Sequence, residues 1–398
     1  MPFTDYTLFW SILLFVALFV TCKWVFKKAW LDQTTLLLGN ILILTQIVSS
    51  KSLFLLSLLA MLAYGAGLLL HKKKSNVLLA FVLALFLAVY AVRNYPLVQS
   101  WLGGWWQDTL RKHFLSVEKI GLSYILFRII HWIVECRRQT LRSHDFLTYL
   151  NYLFFFPTFI AGPIDTFNNF HYWSHTTYVR FNVRMLLAGV GRIFMGAVKS
   201  LLVVPLLLPY ATDYQTLLPN LGAWGAVGVA AILYSLYIYI DFSGYSDMAI
   251  GMAYMMGIRT PENFDNPYLS PNISEFWKRW HITFSSFLKQ YVFKPTIALL
   301  NRFPIARYRI VVSVCAYLVT FFVCGIWHGN TLNFVIWGLW HGVGLSVYKV
   351  FSSRSKREST RTRKVAGIIA TFIFVTIGWV FFNYPAEQLL TMFKLLFS

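Results

Sequence analysis

Apolar residues along this chain come in blocks of about 16 to 20, close to the length a helix needs to cross a bilayer's hydrocarbon core. Short polar stretches separate the blocks. Thr7–Phe26, Thr34–Val48, Leu53–Leu70, Val77–Val92, Ile120–Val134, Met185–Leu208, Ala223–Ile240, Ile310–Ile326, Leu332–Val350 and Val365–Phe382 read as spans. Phe146–Ile164 and Ser243–Gly257 are shorter or broken and read as re-entrant or buried segments. The pattern predicts an all-α polytopic membrane protein with roughly 10–12 transmembrane or re-entrant helices. The first block has no basic residue ahead of it and no small-residue cleavage site, so it is expected to remain as a span.

Composition agrees: 58% of the 398 residues are hydrophobic, 18% aromatic and 13% charged, against about a quarter charged in soluble domains. A net charge of +20 would suggest nucleic acid in a soluble protein. Here the cations cluster beside the spans, at Lys23/Lys27/Lys28, Lys72/Lys73/Lys74, Arg137/Arg138/Arg142 and Arg354 through Lys364. That placement suits anionic lipid headgroups and an inward-facing positive side, not nucleic acid. Counting spans between clusters puts the N-terminus and Tyr210–Gly222 outside the cytoplasm. Tyr384–Ser398 reads either as an interfacial helix or as the end of another span. The four cysteines form no CxxC pair and read as small buried hydrophobes.

No linker or repeat divides the chain, which reads as one membrane-embedded domain over residues 1–398. Within it, 1–115 are expected to be peripheral lipid-facing helices with few polar groups, 116–350 a catalytic core, and 351–398 a basic loop followed by C-terminal helices. Arg93–Lys119, with Trp101, Trp105 and Trp106, reads as an amphipathic helix at the outer interface.

Ionisable groups at membrane depth are costly and mark candidate chemistry. In FFFPTFIAGPIDTFNNF, Phe154–Phe170, Pro157, Gly162 and Pro163 cannot share a straight helix. A re-entrant segment facing a cavity and a helix ending with Asp165 among the headgroups both fit. In YIDFSGYSDMAIGMAYMMG, Tyr239–Gly257, a helix would place Asp241 and Tyr245 on one face, within a hydrogen-bonded polar network. CGIWHGN (Cys324–Asn330) and GLWHGVG (Gly338–Gly344) each hold one histidine. Gly325 and Gly329 around His328 would let a substrate approach the backbone. An imidazole titrating near neutrality is suited to draw a proton from a hydroxyl. Finally, SEFWKRWHITFSSFLKQY, Ser274–Tyr291, places Phe276, Trp277, Trp280, Phe284 and Phe287 at roughly helical spacing. Lys278, Arg279 and Lys289 would face headgroups or an anionic donor, with His281 between the two surfaces.

FFFPTFIAGPID, DFSGYS, PENFDNPYLSPNISEFWKRWHITFSSFL and GIWHG, in that order, resemble the membrane-bound O-acyltransferases. They are most similar to the bacterial subgroup of the teichoic-acid D-alanyl transfer protein and the alginate O-acetyltransferase. The resemblance covers roughly Gly121 to Lys349. It implies helices around a central tunnel, with His328 as the catalytic histidine inside it and His281 as a second active-site histidine towards the cytoplasmic mouth. Trp277, Arg279, Trp280, Lys289, Trp327, Asp241, Tyr245 and Asp165 are expected to bind substrate. The implied donor is a cytoplasmic thioester, acetyl-CoA or the phosphopantetheine of an acyl carrier protein, with no tightly bound cofactor and no metal. The implied acceptor is an extracytoplasmic hydroxyl, on an envelope polymer or a partner transferase, and the location a bacterial cytoplasmic membrane. Thr166 stands where these relatives often have Arg, and Lys289-Gln290 where they have Arg-Asp; both departures bear on donor or partner recognition. From the residues alone, a transporter or a scaffold without chemistry remains an alternative.

Overall fold

The computed structural model describes residues 6–26, 28–101, 121–180, 183–354 and 360–397. Most of the Trp-rich interfacial helix expected at Arg93–Lys119 lies outside them, as do residues 355–359 of the basic loop. In chain order the helices are α1 (Tyr6–Phe26), α2 (Ala29–Ile47), α3 (Ser50–Lys73), α4 (Asn76–Asn94), α5 (Pro96–Ser100), α6 (Leu122–Arg138), α7 (Phe146–Phe154) and α8 (Phe167–Arg180). Then come α9 (Val183–Thr212), α10 (Leu218–Met255), α11 (Ile273–Arg279), α12 (Ile282–Leu288), α13 (Lys294–Leu300), α14 (Arg309–His328), α15 (Leu332–Arg354), α16 (Arg361–Asn383) and α17 (Ala386–Phe397). No strand occurs among the described residues. Among the described residues, six helices are long and apolar enough to cross a membrane: α3, α9, α10, α14, α15 and α16. Side chains cap several helix starts: Ser49 for α3, Asp145 for α7, Asn272 for α11 and Thr360 for α16, each satisfying an orphan N–H of a first turn.

The chain packs as two compact units. One comprises residues 1–195 with 246–261, the other 196–245 with 262–398. In the first unit the early helices are less purely lipid-facing than their sequence suggests. Asn40 donates to Asn151 (3.1 Å) and accepts from the Phe156 amide (3.1 Å), and Asn151 donates to the backbone and side chain of Gln33 (2.8 and 2.9 Å). These groups are buried and paired, which is what membrane depth demands. Arg128 of α6, 2% exposed, donates to the carbonyls of Tyr152 and Leu153 (2.8 Å each) and of Thr158 (2.7 Å). It thereby satisfies the last turn of α7. The chain then leaves helical geometry through a 3-10 turn, Phe156–Thr158, and a cis Gly162–Pro163 bond, as Pro157, Gly162 and Pro163 require.

Ser243–Gly257 differs from expectation. It is not a separate broken segment: as far as Met255 it is the last part of α10, which runs unbroken from beyond the non-helical Gly222 (φ 65°). Polar side chains do not interrupt a helix whose backbone ladder is intact, and α9 supplies their partners. In the first unit Arg192 pairs with Asp247 at 2.8 Å. In the second, Lys199 donates to Ser243 at 3.2 Å. Glycines permit the close approach: a Cβ at Gly251 would meet the Gly189 carbonyl, and one at Gly244 the Ser200 side chain, at 2.6 Å each.

In the second unit α14 and α15 pack tightly antiparallel across a short turn. A side chain at Gly325 would collide with the Phe334 carbonyl, one at Gly338 with the Phe321 carbonyl, and one at Gly329 with the Phe334 ring. Gly325 and Gly329 thus admit the neighbouring helix, not a substrate as the sequence suggested. At the end of α16, Asn383 donates to the Thr212 carbonyl (3.4 Å) and the Tyr384 hydroxyl accepts from the Tyr214 amide (3.3 Å). The 12-residue α17 packs there through Met392 against Tyr214, Ala230 and Tyr384. At about 1.5 Å per residue it is too short to cross a bilayer. α17 thus lies at the Tyr210–Gly222 end of this unit.

Candidate active site

His281 and His328 both belong to the second unit, and one ring lies between them. The Phe284 centroid is 5.0 Å from His281 and 6.3 Å from His328. His328 is the last residue of α14, so it sits at a helix end and not in mid-span. Around it stand Trp327 (4.5 Å), Trp337 (4.9 Å), Phe382 (5.0 Å) and Phe334 (6.3 Å). Among the described residues His328 has no hydrogen-bond partner, and the residue as a whole is half-buried. An unengaged imidazole within an aromatic shell keeps its lone pair for a ligand.

His281 is held differently. The helical spacing of Phe276–Phe287 predicted one continuous aromatic face, but the chain breaks between Trp280 and His281. His281 adopts left-handed geometry (φ 44°, ψ 54°), dividing α11 from α12. For a residue with a side chain this conformation is costly and persists only when its surroundings over-determine it. The residue 263–265 segment does so: the Asn263 carbonyl accepts from the Ile282 amide (2.9 Å), and the Asp265 amide donates to the Arg279 carbonyl (3.0 Å). The Asn263 side-chain oxygen also accepts from Thr283 Oγ1 (2.7 Å) and lies 3.1 Å from His281 Nδ1. An amide oxygen only accepts, so Nδ1 carries the proton and Nε2 keeps the lone pair. Burial, with the nearby His328 second, holds the His281 imidazole well below its ordinary range, which favours the neutral ring. Phe242 of α10 closes the other face edge-on, at 4.7 Å.

The other expected site residues divide. Trp327 lies tilted against Phe284 (4.5 Å) and edge-on to His328. Trp277 lies against Phe321 (4.8 Å) and His341 (5.1 Å). Trp280 turns towards Phe264 (5.1 Å) and Trp379 (4.9 Å). Lys289 is exposed and Arg279 half-buried, while Lys278 pairs with Glu275 at 2.7 Å. Asp241 and Tyr245 sit one turn apart on α10, Asp241 partly accessible and Tyr245 buried. Asp165 lies in the first unit. It is buried, with its carboxylate accepting from the Thr166 amide (2.7 Å) and from Asn169 (2.9 Å to each oxygen). Burial pushes its carboxyl up to about 7. Asn169 also donates to the Arg259 carbonyl (3.0 Å), so Asp165 helps hold 165–169 to 259. Phe284 was visible only as one member of an aromatic face, and Asn263, Trp337 and Phe382 escaped sequence reasoning. Only Asn263 carried a signal, as the amide in the PENFD stretch.

An all-helical chain with six membrane-length helices among its described residues and two imidazoles beside one ring defines a polytopic membrane protein. The family model of the membrane-bound O-acyltransferases matches residues 56–385, and the chain belongs to that family. It is an O-acyltransferase. It is 30% identical over 337 residues to the teichoic acid D-alanyltransferase of Bacillus subtilis, covering 80% of this chain and 81% of that one. It is 33% identical over 285 residues to a probable alginate O-acetylase of Pseudomonas aeruginosa, covering 70% of this chain and 51% of that one. It is 33% identical over 258 residues to the peptidoglycan O-acetyltransferase of Helicobacter pylori, covering 64% and 46%. The chain therefore spans about half the length of the two O-acetylating relatives and most of the D-alanyltransferase.

Proposed function

We propose that this enzyme moves a short acyl group, acetyl or D-alanyl, from a cytoplasmic thioester to a hydroxyl on the far side of a bacterial cytoplasmic membrane. The observation carrying this reading is the pair His281 and His328 about Phe284, one anchored and the other unengaged. His328 removes the acceptor's hydroxyl proton. The oxygen attacks the thioester carbonyl, a C–O bond forms, and the C–S bond breaks. The imidazolium then returns its proton to the departing thiolate. His281, neutral with Nε2 as acceptor, fits a donor-positioning role better than one that polarises the carbonyl, which would need an N–H. The surrounding rings exclude the water that would compete with the acceptor. The acceptor is an envelope polymer or a partner transferase, and the donor a carrier protein's phosphopantetheine or acetyl-CoA.

The purified enzyme in vesicles, given a labelled acyl thioester on one face and a polyol acceptor on the other, should leave the label as an ester on the opposite side. Label that crosses unesterified would instead make the protein a transporter, and label that never leaves the donor would overturn the reading.

Asn263→Leu removes the acceptor that orients His281. Transfer should fall about tenfold or more, the cost of roughly one hydrogen bond of 1.4 kcal/mol. Asn263→Asp, which keeps an acceptor there, should retain more activity. Ester release at matched membrane levels distinguishes the two variants, and equal activity in both would make Asn263 merely a packing residue.

A further inference from the structure

His328 makes no hydrogen bond among the described residues, so no polar group there fixes the angle of its ring. A catalytic base is commonly oriented by a third group. At His328 that task falls to the neighbouring rings, above all Trp337 (4.9 Å) and Phe382 (5.0 Å). Those two are 5.2 Å apart, and both rest on Trp379, at 5.9 and 5.6 Å. Trp337 and Trp379 are fully buried. Close-packed rings shift together, because no void absorbs the movement of one. Whatever fixes the Trp379 indole therefore helps to fix the angle at which His328 meets its substrate.

Trp379 is held by a hydrogen bond as well as by packing. A buried indole N–H needs an acceptor, and that of Trp379 donates to the Tyr268 hydroxyl at 3.1 Å. The hydroxyl gives its own proton to the Ser235 carbonyl of α10. An indole N–H only donates and a carbonyl only accepts, so the direction of both bonds is settled. The Tyr268 ring is held in turn by Phe372 (5.3 Å), Tyr239 (5.6 Å) and Trp280 (6.0 Å). Tyr268 belongs to the 3-10 turn Pro267–Leu269. The same PENFDNPYLSPN stretch carries Asn263, whose side chain holds His281. One short stretch thus reaches both histidines of the site, directly at His281 and through the Trp379, Trp337 and Phe382 rings at His328.

We infer that Tyr268 is a positioning residue for the transfer: by fixing the Trp379 indole it sets the Trp337 and Phe382 rings that aim His328 at the acceptor hydroxyl. This rests on the reading of His328 as the base. A purely structural tie between α10 and α16 exists separately, where the Ser235 hydroxyl donates to Thr376 Oγ1 (3.0 Å). That bond joins the same two helices without engaging the Trp379 N–H, and so provides a control.

Two readouts test the role without a chosen substrate. The first is the His328 ring-proton signal in nuclear magnetic resonance spectra of the purified full-length enzyme with isotope-labelled histidine, assigned by its loss in His328→Ala. Currents in the adjoining aromatic rings set the position of that signal. Tyr268→Phe keeps the ring but strands the Trp379 N–H, so it should shift or broaden the signal, and Trp379→Phe should do the same. Thr376→Val breaks the separate tie. It should lower the melting temperature yet leave the signal in place, so loss of stability alone does not reproduce the effect. The second readout is envelope ester released from cells at matched membrane levels. It should fall about tenfold in Tyr268→Phe, less than the roughly hundredfold that a 1 Å misplacement can cost. In the double variant Tyr268→Phe/Trp379→Phe it should fall no further than in the lower single, as for residues acting as one unit. If Tyr268→Phe does not fold, Trp379→Phe carries both readouts. An unmoved His328 signal or wild-type ester in the folded variant would overturn the role of Tyr268 and leave the base reading intact. Full ester from cells carrying His328→Ala would overturn the base reading, and the role of Tyr268 with it.

Discussion

Cells carrying His328→Ala should lose the enzyme's envelope ester while keeping the protein at wild-type level in the membrane. General-base help is worth about 10²–10⁴-fold, so the remaining signal should fall to background. The fold should tolerate the change, because His328 makes no hydrogen bond among the described residues. Removing it deletes ring contacts with Trp327, Trp337 and Phe382 but strands no buried polar partner. His328→Gln separates base from binder: its amide fills a similar space and hydrogen-bonds, yet has no titratable nitrogen, so it should be as inactive as alanine. Mass spectrometry of esters released from intact cells reads both variants and identifies the acyl group. Near-normal ester in either variant would remove His328 from the mechanism and leave the family's chemistry to another residue.

The largest structural effect is expected at Arg128, far from either histidine in sequence. Arg128→Met keeps the stem and deletes the guanidinium that satisfies the carbonyls of Tyr152, Leu153 and Thr158. The first two oxygens sit at the end of α7, where orphan carbonyls and the helix dipole both favour a cation, and the third in the 3-10 turn that follows. With no water at that depth to replace it, the loss should cost about 3–5 kcal/mol, the range for removing one partner of a buried charged contact. Arg128→Met should therefore melt well below wild type in detergent and accumulate poorly in the membrane. Arg128→Lys should recover only part of the loss, because a single ammonium cannot reach three divergent carbonyls as the planar fork does. Wild-type melting of Arg128→Met would mean that the α7 turn is held by its aromatic packing alone.

The contrast between these two residues shows where the sequence was readable. His328 and His281 stood out because an imidazole in an apolar or aromatic stretch is locally anomalous, and the motifs around them carried the family resemblance. Arg128 was anomalous in the same sense, with His131 beside it in the span expected at Ile120–Val134, yet nothing nearby in sequence announced its partners 24–30 positions away. Gly325 and Gly329 were visible but misassigned. A missing side chain leaves room for a substrate or for a second helix, and sequence spacing does not distinguish the two. The same limit applied to α10, where Asp241, Ser243 and Asp247 suggested interruption until Lys199 and Arg192 of α9 were seen to provide partners.

The sequence by itself determined the solvent, the all-helical class, the family and the two histidines of the proposed site. Each of these rests on composition, local periodicity or short motifs, which need no knowledge of distant contacts. Only the tertiary structure decided that His281 sits in a left-handed break anchored by Asn263, that His328 ends its helix unengaged beside Trp337, and that Arg128 closes α7. It also revealed Tyr268 bound between Ser235 and the Trp379 indole. These features depend on which groups meet across long loops, and in a membrane every buried polar atom must find its partner within the protein, wherever along the chain that partner lies.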